Sequence, residues 1–186
     1  MLKLANVAEN WEYYLQKNTE LIIDDFNYQS NTELQATYAE GGDGGNPIIL
    51  DNIAPRIGNY VAQLNITHST GTSTWTADGT LGPLDLSEFF NAASGTPKAG
   101  FIKALITRRS TTGIGSTGIS IRIGSDSSNY ATWTPTLVNN VSFAGYRDDA
   151  TTLTVTGTPD WTAVDYIQIR VTTTGSASGI YSAGLS

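Results

Sequence analysis

The sequence predicts an all-β fold, an antiparallel β-sandwich of jelly-roll type with a short N-terminal α-helical arm. Three observations carry this. Short apolar–polar alternations recur along most of the chain, as at 118–124, where Ile119, Ile121 and Ile123 face in and Ser120 and Arg122 face out. Gly, Asn, Asp and Pro separate them at short intervals. The 186 residues suffice for one sandwich and a small appendage.

The elements follow in order. Residues 1–20 set Leu4, Val7, Trp11, Tyr14 and Leu15, with Ala8, at i, i+3, i+4, i+7 spacing, an amphipathic helix. A helix this short is marginal alone, so its apolar stripe needs cover from its own domain or from another chain. Those five larger residues are the candidate assembly contacts of a docking arm. Residues 21–186 form the sandwich domain. A first strand is predicted at 21–26. Ser30 with Glu33 fits a capping box for one helical turn carrying Leu34 and Tyr38. The 41–47 run, Gly-Gly-Asp-Gly-Gly-Asn-Pro, is a loop. Further strands are predicted at 47–50, 59–67, 72–78, 100–107, 118–124, 129–133, 141–146, 152–155, 164–171 and 179–185. Residues 100–107 are almost continuously apolar, as in a central strand.

Composition narrows the chemistry. Cysteine is absent and His68 is the single histidine, which excludes thiol catalysis, Cys-ligated zinc and multi-His metal sites. The charged fraction is only 15%, while Ser and Thr together number 42, so the polar surface is built of hydroxyls, amides and glycine. The net charge of −7 opposes nucleic-acid binding. Residues 1–55 hold two basic and nine acidic side chains, net −7, and residues 56–186 hold eight of each, net zero. No apolar run reaches the roughly 18 residues that span a membrane, and the N-terminus lacks a secretory apolar core. A chain folded in a cytoplasm is expected.

Asp24-Asp25-Phe26, Asp85-Leu86-Ser87, Arg122-Ile123-Gly124-Ser125-Asp126 and Asp160-Trp161, followed by Asp165-Tyr166-Ile167, occur in the order seen in galactose-binding-like and carbohydrate-binding-module jelly rolls, which residues 21–186 resemble. The resemblance implies a sandwich, a non-catalytic role and a glycan ligand. Members often hold a structural calcium between the N-terminal acidic strand and an acidic final strand. Here residues 179–185 carry no carboxylate, so a calcium at Asp24 and Asp25 would depend on other ligands, and no cofactor is expected.

Sugars present an apolar face and hydroxyl edges, which calls for aromatic rings beside amides and charges. Tyr130, Trp133, Tyr146, Arg147 and Asp148 are the candidate glycan-binding residues. Trp75 and Trp161 are further candidate rings, against the alternative that the tryptophans pack in the core. Asp148 and Asp149 do not make a hydrolase pair, because adjacent strand residues point to opposite faces.

The expected role is a non-enzymatic structural protein of a tailed-bacteriophage virion: a capsid decoration, head-fibre or tail-associated subunit with a carbohydrate-module-like head. Its partners would be other virion proteins or further copies of itself, a trimer being one such assembly, and glycans; nucleic acid and membrane are not expected. The alternative is a lectin-like carbohydrate-binding module recognising a cell-surface or environmental glycan.

Overall fold

The computed structural model describes residues 23–24, 26, 28–51, 61–91, 94–98, 101–108, 113–137, 144–175 and 179–185. These form an antiparallel β-sandwich. Numbered in chain order, β1 (Ala39–Gly42), β4 (Thr70–Asp78), β10 (Tyr166–Thr174), β6 (Ile114–Asp126), β7 (Asn129–Trp133) and β9 (Thr154–Thr156) make a six-stranded sheet in that spatial order. The second sheet runs β2 (Ile48–Asp51), β3 (Val61–Asn65), β11 (Gly179–Leu185), β5 (Phe101–Arg108) and β8 (Ala144–Asp149). Strand neighbours are rarely consecutive in sequence, as a jelly roll requires.

Side-chain period two builds the core. Ile119, Ile121 and Ile123 on β6 stand opposite Val171, Ile169 and Ile167 on β10, and all six are buried. They share one apolar cluster with Ile48, Ala62, Leu64 and Ile102 of the facing sheet. Trp75 on β4 is fully buried beside them.

The predicted Ser30 cap forms, with the reciprocal bond one residue earlier than in a capping box. Ser30 Oγ accepts the Glu33 amide, Glu33 Oε2 accepts the Gln29 amide, and α1 (Asn31–Thr37) buries Leu34. Of the predicted 21–26 strand, Ile23, Asp24 and Phe26 are described. Phe26 has φ of 54°, outside extended geometry, because Asp24 Oδ1 turns back to accept its amide at 2.7 Å. Asp24 Oδ2 accepts the Tyr38 and Tyr28 hydroxyls at 2.6 and 2.9 Å. These three donors meet the buried carboxylate on both of its oxygens. Asp25 and residues 1–20, with the assembly residues Leu4, Val7, Trp11, Tyr14 and Leu15, lie outside the described residues.

The predicted 41–47 loop is shorter than expected, because Gly41 and Gly42 pair with Thr74 and Ser73 in β1, and Asn46 organises the remainder. It is 1% exposed; Nδ2 donates to the Asp43 carbonyl at 2.8 Å, Oδ1 accepts Ser73 Oγ, and its own carbonyl accepts Trp75 Nε1. At another edge of the sandwich Trp161 stacks on Phe90, planes 4° apart, and donates Nε1 to the Gly95 carbonyl.

Asn46→Ala removes the buried partner of Ser73 and of the loop carbonyls. It is expected to cost about 2–3 kcal/mol in urea unfolding. Burial, reinforced by Asp24 and Tyr28, raises the Tyr38 hydroxyl well above its ordinary value. The unfolded chain therefore loses that proton first. Stability is intact below about pH 10 and falls as pH rises from there towards the folded value. The urea midpoint followed into alkali should show this fall, and Tyr38→Phe should reduce its slope while lowering the neutral midpoint.

Candidate functional site

Turning the isoleucines of β6 and β10 inward turns their alternate neighbours outward. Across the outer face of the six-stranded sheet Thr76 pairs with Gln168, Gln168 with Arg122, and Arg122 with Thr132. One position along, Thr74 pairs with Arg170 and Arg170 with Ser120. In the other direction Tyr166 lies between Asp78 and Gly124, with Tyr130 beyond Gly124.

A polar relay crosses four strands. Gln168 Nε2 donates to Thr76 Oγ1 at 3.0 Å, Arg122 Nη1 donates to Gln168 Oε1 at 3.2 Å, and the Arg122 guanidinium lies 4.6 Å over the Tyr130 ring centre. Tyr130 and Tyr166 rings are 6.1 Å apart. Gly124 makes this possible. A Cβ there would stand 2.1 Å from the Asn129 carbonyl and 2.5 Å from Tyr130 Cα, so only glycine lets β6 and β7 close where the register shifts between Gly124 and Asp126.

Thr74, Thr76, Ser120, Arg122, Tyr130, Thr132, Gln168 and Arg170 are half-buried, which leaves each reachable yet held. Burial raises the Tyr166 hydroxyl above its ordinary value, against the opposing pull of Arg122. Arg122 Nε is buried without a protein hydrogen-bond partner. The face can donate and accept hydrogen bonds at fixed spacing. It has no paired carboxylates, and no group of three His, Cys, Asp or Glu suited to a metal occurs among the described residues.

The sequence candidates separate onto different surfaces. Tyr130 joins the outer face, with one side of its ring taken by Arg122. Trp133 does not serve as an exposed platform. It is 2% exposed, inside the sandwich, where Nε1 donates to Asp148 Oδ2 at 2.7 Å. Asp148 thus ties β8 of one sheet to β7 of the other. Trp75 and Trp161 are also buried. Tyr146 and Arg147 belong to β8, which pairs with β5 and is an edge strand among the described residues; their side chains lie outside what the structure describes. Asp149 accepts the amide and hydroxyl of Thr151 and caps a turn.

Arg122, Gln168, Arg170 and Thr76 are the residues that sequence reading missed as a site. Their outward parity is readable in each strand, but the adjacency of β6 to β10 is not.

No protein-family profile matches the chain, and no curated protein sequence matches it. Solved structures do. The chain is similar to a family 30 carbohydrate-binding module of a cellulosomal cellulase from Clostridium thermocellum, with a TM-score of 0.62 at 11% identity over 89% of this chain and 96% of that one. It is similar to a family 11 module from the same organism, solved with a β-1,3-1,4-mixed-linked tetrasaccharide, with a TM-score of 0.52 at 12% identity over 88% and 92%. A third neighbour, from a study of promiscuous specificity in carbohydrate-binding modules of the β-sandwich superfamily, gives a TM-score of 0.55 at 15% identity over 90% of this chain. This chain spans 62% of that neighbour's length. The fold is that of a carbohydrate-binding-module-like jelly roll.

Trp133→Phe keeps the ring volume but strips Asp148 of its indole donor. A loss of about 1–3 kcal/mol is expected in urea unfolding. Asp148→Asn, which keeps an acceptor oxygen, should cost less.

Proposed function

We propose that this protein is a non-catalytic saccharide-binding module whose binding surface is the outer face of the six-stranded sheet. The carrying observation is the Thr76–Gln168–Arg122–Tyr130 relay on a sandwich of this fold. A sugar's hydroxyls are bidentate partners, each donating and accepting. A row of amide, guanidinium and hydroxyl groups held at strand spacing matches them without reorganising, which limits the entropy lost on binding.

The test is a glycan array with the full chain, followed by calorimetric titration of the ligands found. Dissociation constants in the micromolar to millimolar range are expected. Gln168→Ala and Arg122→Ala should each weaken binding about tenfold, the loss of one hydrogen bond's worth, with folding checked by circular dichroism. Absence of binding to every glycan, or binding that these variants leave unchanged, overturns the assignment.

A second reading is a bacteriophage virion subunit that displays this sandwich as its head. The charge distribution favours it: the whole excess of −7 lies in residues 1–55, together with the helical spacing of Leu4, Val7, Trp11, Tyr14 and Leu15. Such a subunit assembles with its own copies or with other virion proteins. Sedimentation of the full chain as an oligomer that Trp11→Asp dissociates supports a homo-oligomeric arm. A monomer at all concentrations overturns self-assembly.

A further inference from the structure

We propose that the ligand of this face is an acidic saccharide, one bearing carboxylate or sulfate groups, and that Arg170 and Arg122 together receive its charge. The inference rests on the saccharide-binding reading of the same face.

The argument begins with charge placement. Arg122 and Arg170 occupy diagonal positions on neighbouring strands, since Arg122 pairs with Gln168, two residues from Arg170. Diagonal side chains stand roughly 7–8 Å apart, within reach of one common anion for residues as long as arginine. Among the described residues neither is neutralised. Arg122 has five N–H donors, and Gln168 and the Tyr166 hydroxyl are the acceptors offered to it. Arg170 is flanked by Thr74 and Ser120, and among the described residues no carboxylate pairs with either guanidinium. Asp78 shares the face but sits opposite Tyr166, four residues along β10 from Arg170.

Two half-buried guanidinium groups without counter-charge among the described residues stand out in a chain where only 15% of residues are charged. The net charge of −7 lies mostly elsewhere, in residues 1–55 by sequence. Ionic screening at about 8 Å makes the local field, rather than the total charge, decide what binds here. Stacking contributes less than in an aromatic-lined site, since Arg122 covers one side of the Tyr130 ring and the described tryptophans Trp75, Trp133 and Trp161 are buried. Forked hydrogen bonds to a carboxylate or sulfate use the donors the face leaves free.

The experiment titrates the full chain with cellohexaose, with oligogalacturonate of equal length and with a sulfated galactan oligosaccharide, at low and high salt. Polyglutamate serves as an anion without sugar rings. The expected result is tighter binding of at least one acidic sugar over cellohexaose by about tenfold or more, narrowing as salt rises, and no comparable binding of polyglutamate. The two acidic arms separate carboxylate from sulfate recognition. Arg170→Gln should remove the acidic preference, bringing acidic-sugar affinity down towards that for cellohexaose. Arg170 makes no side-chain hydrogen bond among the described residues, so the fold should persist, and the salt dependence of the unaltered chain is a readout that needs no variant. Equal or tighter binding of cellohexaose overturns the acidic preference and leaves the saccharide reading standing. Polyglutamate binding as tightly as the sugars overturns saccharide recognition of the charge. Binding of none of them overturns both.

Discussion

Six β-branched side chains on two neighbouring strands fix the geometry on which the rest depends. Ile119, Ile121 and Ile123 of β6 meet Val171, Ile169 and Ile167 of β10 across one register, all buried. A one-residue slip of either strand would turn its three apolar side chains to solvent and bring polar ones inside. With each burial worth about 1.5–3 kcal/mol, that slip costs several times the thermal energy. The register is therefore held, and so is everything on the opposite side of the same strands. Gln168, Arg170 and Arg122 are placed where they are because of what faces the other way.

The remainder of the molecule holds together with few charges. Buried polar residues tie segments that are distant in sequence: Asn46 joins the glycine loop to Ser73 and Trp75, Asp24 joins Phe26, Tyr28 and Tyr38, and Asp148 joins the two sheets through Trp133. Surface carboxylates act locally. Asp85, Asp126, Asp149 and Asp160 accept side-chain and backbone donors two or three residues ahead, chiefly Ser87, Asn129, Thr151 and Thr162, which lowers each below its ordinary carboxylate value. These contacts pin turns and explain how a chain with few charged residues keeps its hairpins defined.

Much of the fold was legible because its signals are local. Alternation marked β6 and β10, and the Ser30–Glu33 pair marked α1. Phe26 misled because an apolar residue closing an apolar run reads as strand, while its φ of 54° and the hydrogen bond from its amide to Asp24 carry no periodic signature. Trp133 misled for a related reason. Aromatic rings serve cores and sugar sites alike, and burial distinguishes them only after the sheets are assembled.

The sequence by itself determined the all-β class, most strand positions and the side-chain parity of the alternating strands, because these follow from period-two alternation and turn chemistry within a few residues. Tertiary structure alone decided which strands are neighbours. Residues 122 and 168 are distant along the chain, and their pairing is a consequence of the packing of the whole sandwich. The face bearing Thr76, Gln168, Arg122, Tyr130 and Arg170 exists only through that pairing, so no local pattern announces it.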